Sequence, residues 1–105
     1  MRFKHTFTCD VCGEEITYPN FMIECGFNNI PFPKNRTSFE FIHVCHNRCS
    51  YGLFCGIDRP CAAIQQIFSQ SHYTPDYING YLNNMAYTNP SLASKIAQIK
   101  NKIFE

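Results

Sequence analysis

Cys9-Asp10-Val11-Cys12-Gly13 and Cys45-His46-Asn47-Arg48-Cys49 are the two stretches on which the reading of this chain turns. In the first, two intervening residues let both thiolates address one ion at about 2.3 Å. Backbone N–H groups inside such a turn face the sulfurs. Gly13 falls where the chain must leave the turn, and glycine tolerates positive φ without a Cβ clash. The second stretch follows a predicted strand. With Cys45 at the start of a helix and Cys49 one turn later, both sulfurs share a face, and a helix N-terminus favours the thiolate. The spacing therefore predicts one structural zinc ion held by Cys9, Cys12, Cys45 and Cys49. Arg48 is placed to offset part of the negative charge that four thiolates leave on the ion. His46-Asn47-Arg48-Cys49 is itself a two-residue spacing, so a set with His46 in place of Cys45 stays open; thiolate chemistry favours the all-cysteine set.

A knuckle, a β-hairpin and then a cysteine pair at the head of a helix resembles the treble-clef zinc finger. Cys-x-x-Cys followed by Val-Cys-x-x-x-Cys looks like the FCS/TRASH/MYM group of such fingers, over about residues 5 to 55. On that resemblance Cys9, Cys12, Cys45 and Cys49 would be the ligands. The resemblance implies a fold type and a metal, not one activity. The chain departs from the group in the 32 residues between Cys12 and Cys45, and in Val44, which stands where the group usually has Phe.

A length of 105 residues fits one domain, and a domain of that size buries a thin core that a metal clip would supplement. With 45 % hydrophobic and 15 % aromatic residues, the chain is expected to fold. Seven cysteines, an odd number, and an opening Met-Arg-Phe-Lys-His-Thr-Phe-Thr without an apolar run argue against an exported disulfide framework and for a reducing cytoplasmic setting. No apolar run approaches the roughly 20 residues of a membrane span. Nine Lys plus Arg against eight Asp plus Glu is too even for a protein whose main task is gripping duplex phosphates.

The expected fold class is α+β: a small zinc-stabilised, treble-clef-like β-hairpin plus helix, followed by about three α-helices. We read one domain, with a zinc-finger half over residues 1–57 and a helical extension over 58–105. Phe7 to Cys12 reads as a short strand entering a turn. Phe21 to Phe27 and Ser38 to Val44 read as an antiparallel hairpin with a Pro-rich loop over 28–35. Helices are expected over 58–69, capped by Asp58, and from Thr74-Pro75-Asp76 to about Tyr87, with Ile78, Leu82 and Met85 on one face. A last helix runs from Asn89-Pro90 to Phe104, with Leu92, Ile96, Ile99 and Ile103 in one stripe. Cys25, Cys55 and Cys61 read as core thiols; with His43 or His72 they are the alternative source of a second metal site.

Nothing in the chain fills the roles of a catalytic site together: no Gly-rich phosphate loop, nucleophile elbow or paired carboxylates on a helix face. His43, on a strand with His46 and Asn47 nearby, lacks the Asp-His pair of a His-metal nuclease. No enzyme is expected. The expected function is a protein–protein interaction module, a regulator or inhibitor of a larger complex, using Tyr77, Tyr81, Tyr87 and Met85. The alternative is a nucleic-acid-binding zinc finger involved in transcription regulation, binding through Arg2, Lys4, Lys95 and Lys102.

Overall fold

A computed structural model describes residues 1–28, 39–51 and 73–105, with 62–68 described as backbone. The expected loop tip, Asp58, Cys55, Cys61 and His72 lie outside the described residues. The class is α+β. Short strands β1 (Thr6–Thr8) and β2 (Glu15–Thr17) pair antiparallel around the Cys9–Gly13 turn, with Phe7 opposite Ile16. The reading of this stretch anticipated β1 but not β2, whose three residues are too short to show a period.

Strand β3 (Phe21–Phe27) is central, between β4 (Phe41–His46) and β5 (Ala62–Phe68), and both pairings are antiparallel. All seven β3 residues are buried, which explains its near-continuous apolar run. The β3–β4 register sets Glu24 opposite His43 and Met22 opposite Cys45 on one face, and Ile23 opposite Val44 and Cys25 opposite Ile42 on the other. On the second face Cys25 Sγ meets the Tyr81 hydroxyl at 3.5 Å.

Residues 62–68 are a strand, not part of a helix over 58–69. The sequence Ala-Ala-Ile-Gln-Gln-Ile-Phe has good helix formers, but the second edge of β3 presents a row of backbone donors and acceptors that only an extended neighbour satisfies. Tertiary pairing overrides local propensity here.

Helix α1 (Pro75–Thr88) starts as expected: the Thr74 side chain accepts the Tyr77 N–H at 3.1 Å, and Pro75 opens the first turn. Ile78, Leu82 and Met85 are buried. Thr74→Ala is expected to destabilise the protein by about 1 kcal/mol, read as a lower urea midpoint at unchanged m-value.

A 3₁₀ turn (Pro90–Leu92) leads into α2 (Ala93–Ile103), which buries Ile96, Ile99 and Ile103. Asn89 does not cap this helix with its side chain. Its carbonyl oxygen instead accepts the Phe39 N–H at 2.7 Å, and its amide donates to Met85 O and Thr88 Oγ1. The Leu92–Ile103 stripe joins the same core as Phe7, Phe21, Ile23 and Val44. Phe3 closes that core at the termini, bridging to Phe104 and stacking on its ring.

Candidate metal centre

The turn between β1 and β2 is built to hold one sulfur still. Val11 and Cys12 N–H groups point at Cys9 Sγ at 3.3 and 3.4 Å. Gly13 N–H bonds back to Cys9 O, and Gly13 has φ of 77°. This is the left-handed conformation that a side chain disfavours. Burial works against ionisation of Cys9. The N–H groups of Cys12, His46 and Val11, together with the Cys12 thiol, outweigh it and bring the pKa down to about 6. The turn thus favours the thiolate form of Cys9.

Asp10, inside the same turn, ties it to the rest of the molecule. Its backbone N–H donates to Val44 O at 2.9 Å, and its Oδ2 accepts the Val44 N–H at 2.8 Å. Lys102 and Lys95 of α2 reach Oδ1 at 2.5 and 3.3 Å. Burial opposes the charge on Asp10, but the Lys102 ammonium and the Val44 amide prevail and hold the carboxyl below its ordinary value. As one of the two residues that merely separate the cysteines in the motif, Asp10 gave no sign of this role.

The second half of the centre differs from the expected one. Strand β4 continues through Cys45 to His46, and only then does a single 3₁₀ turn (Asn47–Cys49) follow. Because strand side chains alternate, Cys45 shares the face of His43 and Glu24, while His46 lies on the opposite face. Cys9, Cys12, His46 and Cys49 therefore form one cluster, their ligand atoms all within 4.8 Å of one another. Cys9, Cys12 and Cys49 stand together as the sequence suggested. Cys45 is not in that cluster but in a second group with Glu24 and His43. The three-residue turn also supplies no helix dipole to Cys49. Burial, its hydrogen bonding with Cys12 and the charge on Cys9 push that thiol up to about 11.

His46 Nδ1 lies 3.4 Å from Cys12 Sγ and 3.8 Å from Cys49 Sγ, and Nε2 is 3.0 Å from Glu15 O. A carbonyl only accepts, so Nε2 carries the proton and Nδ1 turns its lone pair to the sulfurs. Metal-binding histidines are oriented in this way by an outer carbonyl. Arg48 reaches Glu14 at 2.9 Å and approaches Cys12 Sγ at 4.0 Å, the position expected of a charge that offsets thiolates. Three sulfurs and one imidazole nitrogen suit a tetrahedral divalent ion. A cation between these sulfurs would also offset the charge on Cys9 that helps push the Cys49 thiol up. No disulfide joins the described cysteines.

Sequence reasoning also missed Glu24, which is fully buried in β3. Its carboxylate accepts His43 Nε2 at 2.8 Å, Ser50 Oγ at 2.6 Å and the Tyr51 N–H at 2.9 Å. The signal was available: one acid inside the run Phe-Met-Ile-Glu-Cys-Gly-Phe has no solvent to point at if both faces are covered.

Comparisons with protein-family models, curated proteins and solved structures found no match to this chain. No helix among the described residues is long and apolar enough to cross a membrane.

Proposed function

We propose that Cys9, Cys12, His46 and Cys49 hold one structural zinc ion in a treble-clef-like finger, and that the chain acts by contact with another protein, as a regulator or inhibitor of a larger complex. The observation that carries the reading is the convergence of three sulfurs and one oriented imidazole nitrogen within 4.8 Å. Sulfur-rich tetrahedral sets favour zinc over harder cations. Four protein donors fill the tetrahedron and leave no open position for water or substrate, which supports a structural ion and a non-enzymatic role. A reducing cytoplasmic compartment suits these thiols.

The charge arrangement supports protein over nucleic acid as the partner. Every described lysine and arginine already has an internal acceptor. Arg2 pairs with Glu105 at 3.1 Å, Lys4 reaches Asn101 O at 3.0 Å, and Lys95 and Lys102 share Asp10. Lys100 is bonded to Asn83, and Arg48 to Glu14. Of the four cations that would read phosphates, Arg2, Lys95 and Lys102 therefore face a carboxylate where they stand. In contrast, Tyr77 is 54 % exposed and Tyr87 85 % exposed, and Tyr73 stacks on Tyr77 at 4.9 Å. Tyrosine is enriched in interface cores. Met85 is buried and Tyr81 turns inward to Cys25, so neither is offered to a partner.

Affinity capture from host lysate, with and without nuclease, tests the partner class. Capture that survives nuclease and changes little between about 50 and 200 mM salt is the expected result. Loss of capture on nuclease treatment, or a fall of about 10³-fold or more over that salt range, would instead identify a phosphate-driven partner.

A further inference from the structure

We propose that Glu24, His43 and Cys45 form a second metal site, for one zinc-like divalent ion, on the opposite face of β4 from the first. The geometry follows from strand pairing. Glu24 and His43 are directly opposed across β3 and β4, and Cys45 is two residues beyond His43 on the same face. Three different donor types thus converge from two neighbouring strands of a three-stranded sheet, a more rigid platform than a loop.

The ligand atoms all lie within 4.8 Å of one another. Glu24 Oε1 is 3.6 Å from Cys45 Sγ and 2.8 Å from His43 Nε2. Bonds of about 2.0–2.3 Å around a tetrahedral ion separate neighbouring donors by roughly 3.3–3.8 Å. The sulfur–oxygen spacing already fits, and the nitrogen–oxygen pair has to open by about half an ångström. Ser50 Oγ, on the other carboxylate oxygen at 2.6 Å, orients Glu24 in the manner of an outer-sphere partner. Phe41 and Tyr51 pack on the His43 ring, with centroids 5.3 and 4.5 Å away, so an aromatic wall surrounds the site.

Charge favours the same conclusion. Glu24, His43 and Cys45 are 0 %, 7 % and 0 % exposed. One carboxylate, one thiolate and a divalent cation sum to zero, so the loaded site is neutral, as a dry interior requires. On loading, the Cys45 thiol proton leaves to solvent, and the His43 proton moves from Nε2 to Nδ1. Mixed oxygen, nitrogen and sulfur donors select zinc or cobalt over magnesium or calcium. The proposal is independent of the first centre, and its test reads the two separately.

Full-length protein is stripped with chelator under denaturing, reducing conditions and refolded with excess Zn²⁺ or Co²⁺, because so buried a site loads as the fold closes. Ions per chain are then counted by elemental analysis after gel filtration. Two per chain are expected. His43→Ala and Cys45→Ala should each reduce the count to one while keeping the three-thiolate cobalt charge-transfer band of the first centre. A wild-type count of one, with that band present, would overturn the second site and leave the first intact. Should both variants fail to fold, the wild-type count decides alone. A count of one with a single-thiolate cobalt spectrum would instead sink the first centre and support the second.

Discussion

Cys9→Ser and Cys49→Ser are each expected to release the proposed zinc ion of the first centre and to unfold the β1–β2 turn and the β3–β4 hairpin. Structural zinc contributes an apparent ~10–16 kcal/mol in small fingers near pH 7, against a total stability of about 5–15 kcal/mol for a typical domain. A lost ligand therefore removes an amount comparable to the whole margin. The effect should spread, because the turn is tied to β4 through Asp10 and Val44 and to α2 through Lys95 and Lys102. His46→Ala should act in the same direction, since its Nδ1 faces Cys12 and Cys49. Cys25→Ala is the control. Its sulfur meets Tyr81 on the helix-facing side, so it should keep the ion of this centre and cost about 1–2 kcal/mol. Elemental analysis and circular dichroism on the same preparations check all four. Full zinc retention by Cys49→Ser would refute the ligand set.

Glu24→Ala should be nearly as damaging, though no ligand of the first centre is touched. In the metal-free protein the substitution removes the shared acceptor of His43 Nε2, Ser50 Oγ and the Tyr51 N–H. Breaking a buried, hydrogen-bonded charged network by removing one partner typically costs about 3–5 kcal/mol in total. At about 4–8 °C per kcal/mol for a domain near this size, the melting temperature should fall by more than about 10 °C. Glu24→Gln keeps the shape, but its amide group turns donors towards donors, so an intermediate loss is expected. Urea unfolding of the three proteins provides the measurement. A Glu24→Ala protein within 1 kcal/mol of the parent would show that the carboxylate does not hold the β4 corner together.

The helix over Pro75–Thr88 was the most legible part of the chain. Thr74-Pro75-Asp76 carries its start signal in adjacent residues, and the Ile78, Leu82, Met85 spacing repeats within one helix. Local hydrogen bonds make such elements readable without knowing their neighbours. The strand over 62–68 was not readable in this way. Its hydrogen bonds run to β3, some forty residues away in sequence, and nothing in Ala-Ala-Ile-Gln-Gln-Ile-Phe records that an open edge waits there.

What the sequence determined by itself was the knuckle. Cys9, Cys12 and Gly13 close on one another within a single turn, through bonds that span at most a few residues. Cys49 as a candidate partner of this pair was also readable from its residue type and its position after a strand. Only the tertiary structure showed that His46, rather than Cys45, lies beside Cys9, Cys12 and Cys49. That placement depends on where β4 ends, and β4 runs on to His46 because Phe21 pairs with it and its backbone N–H serves Cys9. A strand reverses its side chains at every step, so extending it by two residues past Val44 set His46 beside the three cysteines and turned Cys45 towards Glu24 and His43.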